Sequence, residues 1–110
     1  MSPRMPLSPS LLAGLQSVWA GSRYGFDIMD ATGLPGGTVY PALSRLLDGE
    51  LVTARWEDPR IAQREKRPPR RYYEITTEGE EILKRAAAIQ RAVERDRRRT
   101  RALRPAKAKS

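Results

Sequence analysis

The sequence predicts a mainly α domain with one small β-hairpin and a long C-terminal helix. Three observations predict it. Apolar residues recur at helical spacing in four separate stretches. A two-residue alternation replaces that spacing from Glu50 to Trp56, and RRYYEIT (Arg70–Thr76) reads as a second short strand. Glycine and proline, above all in GLPGG at Gly33–Gly37, punctuate the chain between helical stretches.

Ser8-Pro9 opens the first helix. Ser8 can cap, and Pro9 suits the first helical position because its missing N–H had no partner there. Leu11, Leu12, Leu15, Val18 and Trp19 form one apolar face, read as core, and Gly21 ends the helix. A second, short helix spans about Tyr24 to Ala31. Tyr24, Ile28 and Ala31 share a face, and Phe26 and Met29 add apolar bulk.

The third helix covers about Thr38 to Asp48. Val39, Leu43, Leu46 and Leu47 form its inner face, and Gly49 stops it. Pro41 lies inside this pattern. With a start at Thr38 it falls in the first turn, where a missing donor costs little. A start two residues earlier presses its ring on the carbonyl of Gly37, where a glycine has room to adjust. Next comes the first strand, with Val52, Ala54 and Trp56 alternating against Thr53, Arg55 and Glu57. Gln63 to Arg70 lacks apolar residues and reads as a loop, ahead of the RRYYEIT strand. Thr77 and Glu80 read as a capping box opening a fourth helix, from Glu78 to about Arg101. RPAKAKS follows as a basic, disordered tail.

Helix, helix, helix, strand, charged loop, strand, long helix is the element order of a winged helix-turn-helix with an appended C-terminal helix. The two strands make the wing, and the third helix becomes the candidate for a DNA major groove. The expected organisation is residues 8–77 as the winged domain, 78–103 as a dimerisation helix and 104–110 as the tail.

The charge distribution supports a polyanionic partner. The 110 residues carry a formal net charge of +8. From Lys84 to Ser110 there are eleven basic and two acidic residues, so the rest of the chain is close to neutral. Within that remainder, Pro59 to Arg71 holds six basic residues against Glu65 alone. Such fields attract phosphate backbones. There is no histidine and no cysteine, and carboxylates do not pair in an apolar setting, so an enzyme or a metal site is not expected and no cofactor is implied. No stretch approaches the ~18–20 apolar residues of a membrane span. The N-terminus lacks the apolar core of a signal peptide, and a cytoplasmic location is expected.

On the third helix, Thr38, Tyr40 and Ser44 offer hydroxyls, Pro41 and Ala42 small apolar surfaces suited to a thymine methyl, and Arg45 a fork for guanine or phosphate. In the wing, Arg64, Lys66, Arg67, Arg70 and Arg71 are the candidate backbone contacts. On the fourth helix, Ile82, Ala86, Ile89 and Val93 space at 4, 3 and 4, a heptad-like stripe. This stripe, with the first helix through Leu11 and Leu15, is the expected homodimer contact. The arginine-rich end reads as solvated, as a second DNA contact, or as a binder of RNA or another anionic surface.

YGFDI (Tyr24–Ile28), GGTVYPALSRLLDGELV (Gly36–Val52) and PRRYYEITTEGEEIL (Pro69–Leu83) resemble the PadR-type transcriptional regulators. The resemblance covers about Leu11 to Ile89. It implies a dimeric winged-helix fold whose C-terminal helices pair, and binding to palindromic operators near promoters, usually as a repressor. It places Thr38, Tyr40, Pro41, Ser44 and Arg45 at the DNA, and Arg70, Arg71 and Tyr72 at the wing base. Where the family often has Gly-Arg-Pro before the basic pair, this chain has Arg67-Pro68-Pro69. The leading expectation is a sequence-specific, homodimeric DNA-binding regulator without catalytic activity. The alternatives are a sensor repressor gated by a small aromatic effector at the dimer interface, and a winged-helix protein-interaction module.

Overall fold

The computed structural model describes residues 7–103, so the 104–110 tail lies outside the described residues. The elements are α1 (Pro9–Trp19), α2 (Gly25–Thr32), α3 (Gly36–Asp48), β1 (Val52–Trp56), α4 (Pro59–Arg64), β2 (Arg71–Ile75) and α5 (Thr77–Leu103). The chain is mostly helical with a two-stranded antiparallel hairpin, the winged-helix arrangement.

In α1, Ser8 caps by accepting the Leu11 N–H at 3.3 Å, and Pro9 opens the helix as expected. Its inward stripe is Leu11, Gly14, Leu15 and Val18, with Ser17 also buried. Trp19, read from the sequence as core, is 62% exposed. It stands at the last turn of α1 and lines a groove against α5 instead of the helical core.

The helix α3 starts at Gly36, with Pro35 as N-cap. The amides of Thr38 and Val39 both reach the Pro35 carbonyl, at 2.9 and 3.0 Å. Pro41 is therefore the sixth helical residue, beyond the first turn, and the earlier of the two starts is the real one. Pro41 removes the donor that would reach the Gly37 carbonyl, and Gly37 is exposed, so water can take that place. Val39, Leu43 and Leu46 are buried as expected and Leu47 is half-buried. They join Leu11, Leu15, Val18, Ile28, Leu51, Val52, Tyr73 and Leu83 in one core.

The hairpin register pairs Val52 with Ile75, Ala54 with Tyr73 and Trp56 with Arg71. The other edge of β2 is also used: the Tyr73 N–H donates to the Arg23 carbonyl at 2.8 Å, and Tyr24 bridges to Tyr72. The approach to α2 thus acts as a third strand, which fixes the wing base beside the α2 N-terminus.

The segment after β1 differs from the loop expected. Asp58 caps α4 by accepting the Arg60 N–H at 2.9 Å, Pro59 occupies the first position, and Ala62 is buried. One helical turn and a half therefore stiffens the wing.

The long helix is capped by Thr76, one residue before the expected Thr77. The Thr76 hydroxyl accepts the Gly79 N–H at 3.0 Å and lies within donating distance of the Glu50 and Leu51 carbonyls. The N3 position is then Gly79, so Glu80 closes no capping box. A Cβ at Gly79 would run into the Leu51 carbonyl and come within 2.8 Å of Ile75 Cγ1. The close seat of the first α5 turn on the start of β1 requires that glycine. The early turns of α5 belong to the winged core through Gly79 and Leu83. Beyond Leu83 no described residue is buried, and the helix projects from a molecule of 68 × 36 × 20 Å.

Candidate nucleic-acid interface

The outer face of α3 is open. Tyr40, Pro41, Ser44 and Arg45 are exposed and Thr38 is half-buried. Ala42, expected to offer a surface to a thymine methyl, is instead buried in the core, because its flank of α3 is covered by packing. Tyr40 owes its position to Gly25. A Cβ built on Gly25 would fall 2.6 Å from the Tyr40 ring Cζ, so the ring lies directly on the α2 backbone. The α2 N-terminus itself has no side-chain cap, and its first residue, Gly25, is buried beneath that ring.

The wing meets this point from the other side. One open cavity of about 390 Å³ is lined by Tyr24, Phe26 and Tyr40 from the helices and by Trp56, Arg70 and Arg71 from the wing. The α3 entrance and the wing arginines therefore share one side of the molecule, and none of the described residues covers that entrance.

The wing base is organised by Glu57, which is only 7% exposed. Its carboxylate accepts both guanidinium nitrogens of Arg67, at 2.6 and 2.9 Å, the Arg70 backbone N–H at 3.2 Å and the Tyr72 hydroxyl at 3.1 Å. The Arg67 hydrogen bonds, helped by those from Arg70 and Tyr72, outweigh desolvation and hold the Glu57 carboxyl down at about 2. The same pair raises Arg67 above its ordinary value. Lower in the wing, Arg60 bonds Asp58 at 3.0 Å and lowers its carboxyl.

The wing residues expected at DNA thus divide. Arg67 is committed to Glu57 by a bidentate pair, and its charge is neutralised there. The Tyr72 hydroxyl is likewise committed, and its ring sits edge-on to Tyr24 at 5.9 Å, with the Arg23 guanidinium 5.5 Å from its centroid. Both act as supports. Arg64, at the end of α4, and Lys66 are exposed at the wing tip. Arg70 stacks over the Tyr24 ring at 4.1 Å, and Arg71 lies 5.6 Å from the Trp56 ring centroid. Neither guanidinium has a carboxylate partner among the described residues. Stacking uses the guanidinium face and leaves its N–H edges free.

The dimerisation residues also divide. Leu11 and Leu15 are 2% and 0% exposed inside the protomer's own core. They cannot meet a partner, because the helical stripe that carries them is consumed by packing on α3. Ile82 is half-buried against the same core, and Ala86 is half-buried. Ile89 and Val93 are 64% and 45% exposed.

Sequence reasoning did not single out Glu57, Trp56 or Arg23. Strand alternation pointed Trp56 inward and Glu57 outward. The hairpin outruns the helical core at Trp56, and the returning wing covers Glu57. The one available signal was Asp58-Pro59, a helix start that brings the loop back.

Among the described residues no group of acidic, histidine or cysteine side chains could hold a metal ion, and no helix is long and apolar enough to cross a membrane. The family model described as transcriptional regulator PadR-like matches residues 15–85. No curated protein sequence matches significantly. Among solved structures, a PadR family transcription regulator from hypervirulent Clostridium difficile is 19% identical, with a TM-score of 0.74 over 84% of this chain and 98% of that one. A PadR-like transcription factor from Bacteroides fragilis is 24% identical, with a TM-score of 0.65 over 83% and 87%. BpsR of Bordetella bronchiseptica, whose DNA binding is regulated by 6-hydroxynicotinic acid, is 16% identical, with a TM-score of 0.67 over 86% and 67%. The structural likenesses carry the fold, the family match covers well over half of the residues, and the chain belongs to the PadR-like family of transcriptional regulators.

Proposed function

We propose that the protein is a homodimeric, sequence-specific DNA-binding repressor that reads a palindromic operator. The observation that carries this reading is the single cavity shared by Tyr40 of α3 and Arg70 and Arg71 of the wing. A duplex that admits the N-terminal half of α3 to its major groove would pass its backbone across those arginines. Thr38, Tyr40, Pro41, Ser44 and Arg45 face the bases or adjacent phosphates. Arg64, Lys66, Arg70 and Arg71 hold backbone, while Arg67 and Tyr72 hold the wing in place.

A second copy is supported by α5. Ile89 and Val93 are exposed one turn apart on a helix that has no buried residue after Leu83. An unpacked helical extension of this kind is marginal alone in water. Pairing along Ala86, Ile89 and Val93 would supply the missing contact and place two α3 helices at successive half-sites.

The test is binding-site selection followed by two variants. Arg45→Ala should lower discrimination between the selected site and random duplex. Arg70→Ala with Arg71→Ala should weaken both alike and flatten the salt dependence by roughly one unit of slope per lost contact. Equal loss on both duplexes for Arg45→Ala would remove its reading role.

A groove between α1 and α5, lined by Gln16, Trp19, Ala20, Leu83, Lys84 and Ala87 and about 390 Å³ in volume, favours a second reading. It would seat a small aromatic effector beside the proposed dimer contact and gate DNA binding. Quenching of Trp19 fluorescence in a Trp56→Phe background by a panel of phenolic compounds tests it.

A further inference from the structure

The cavity between α3 and the wing has walls that a DNA backbone alone does not require. Phe26 and Trp56 are 72% and 66% exposed there, and the fold leaves their rings uncovered. Tyr24, Tyr40 and Tyr73 complete an aromatic lining. The volume, about 390 Å³, is that of a small-molecule site.

Its charge is equally specific. No acidic residue lines it. Arg67 at its rim is neutralised by Glu57, but Arg70 and Arg71 have no carboxylate partner among the described residues. Each lies over a ring, Arg70 over Tyr24 at 4.1 Å and Arg71 over Trp56 at 5.6 Å, a placement that leaves guanidinium N–H groups for an acceptor. The hairpin register sets Trp56 directly opposite Arg71, so an aromatic face and a cation are presented together.

We propose that this cavity binds a nucleoside monophosphate, its base on the aromatic walls and its phosphate on Arg70 and Arg71. A neutral aromatic molecule would leave both arginines unused. Inorganic phosphate would leave the rings exposed. A single carboxylate would satisfy one guanidinium and leave the other. A phosphate monoester carries close to two negative charges near neutral pH and matches the pair, and a base offers a flat face for stacking. A duplex presents singly charged diesters and keeps its bases stacked, so it does not supply both features at once. The inference rests on the proposed function for one consequence: Tyr40, Arg70 and Arg71 are also offered to the duplex, so nucleotide and operator exclude each other.

The chain has two tryptophans, and they report on different grooves. The indole N–H NMR signals of the full protein are assigned with Trp19→Phe, then followed during titration with AMP, adenosine and ribose 5-phosphate. The expected result is movement of the Trp56 signal by AMP, at about tenfold lower concentration than by either fragment, with Trp19 unmoved. Arg70→Gln with Arg71→Gln should weaken AMP binding by about tenfold or more. AMP should also release labelled operator from the wild-type protein. Trp56→Ala, at an exposed position, should reduce that release. A Trp56 signal that stays in place, or that adenosine or ribose 5-phosphate moves as readily, overturns the inference. Duplex binding without AMP binding refutes the nucleotide site and spares the regulator reading. AMP binding at Trp56 without duplex binding does the reverse.

Discussion

Arg67 closes on Glu57 with both guanidinium nitrogens, at 2.6 and 2.9 Å, across ten positions of sequence. The pair ties the returning limb of the wing to the end of β1. It has a pH signature. The Glu57 carboxyl sits at about 2, below its ordinary 4.5. A depressed carboxylate contributes stability that is complete above the ordinary value and is lost as pH falls through the depressed one. The protection factors for amide hydrogen exchange at Arg70 and Tyr72, which correct for the intrinsic pH dependence of exchange, should hold at pH 5 and fall between about 4.5 and about 2. In Arg67→Gln the protection at pH 5 should already be lower, and its remaining pH-dependent fall should be smaller and end at higher pH.

Gly25→Ala should disturb α3 from outside it. The new methyl would lie 2.6 Å from the Tyr40 ring, so the ring must leave the α2 backbone. Tyr40 is 47% exposed and the clash meets the far end of its side chain, so the ring can swing out at little cost. Urea unfolding should change by no more than about 0.5 kcal/mol, while operator affinity should fall further than in Tyr40→Phe, which keeps the ring in place.

Thr76→Ala and Thr77→Ala separate two neighbouring caps. The Thr76 hydroxyl accepts the Gly79 amide, whereas Thr77 is an exposed first-turn residue. Loss of an N-cap costs about 1 kcal/mol, and an exposed first-turn alanine costs little. Chemical denaturation should show Thr76→Ala clearly less stable and Thr77→Ala close to wild type.

Ile89→Glu with Val93→Glu should leave the winged core intact, because both residues are exposed in the protomer. Sedimentation should show a dimer converted to monomer. Affinity for a two-half-site operator should drop, with affinity for a single half-site little changed. A wild-type monomer at micromolar concentration would refute the α5 pairing.

The elements legible in the sequence are those with long apolar periodicity. Leu11, Leu15 and Val18 in α1, and Val39, Leu43 and Leu46 in α3, each repeat often enough to fix a face, and all six are buried. Periodicity loses its meaning at element ends, where the partner changes. Trp19 fits the α1 stripe by angle but stands where the core has already ended. The six-residue α4 buries Ala62 alone, so it offers no period to read. The α3 face was legible as residue types, because a helix with one buried stripe leaves the opposite stripe free. The split between Arg67 and its neighbours Arg70 and Arg71 was not, since it depends on the Arg67 side chain reaching Glu57, ten residues away. Dimer residues assigned to α1 failed for a related reason: an apolar stripe does not say whose core it enters, and Leu11 and Leu15 enter their own.

The helical turn within the wing has a thermodynamic consequence. Ordering a free backbone costs about 1–2 kcal/mol per residue, and an unstructured connection from Trp56 to Arg71 would incur that loss on meeting its target. With α4, the Asp58 cap and the buried Ala62 already in place, that entropy is surrendered during folding. The wing then arrives as a rigid body, and complex formation should show a small heat-capacity change relative to a regulator whose wing orders on contact.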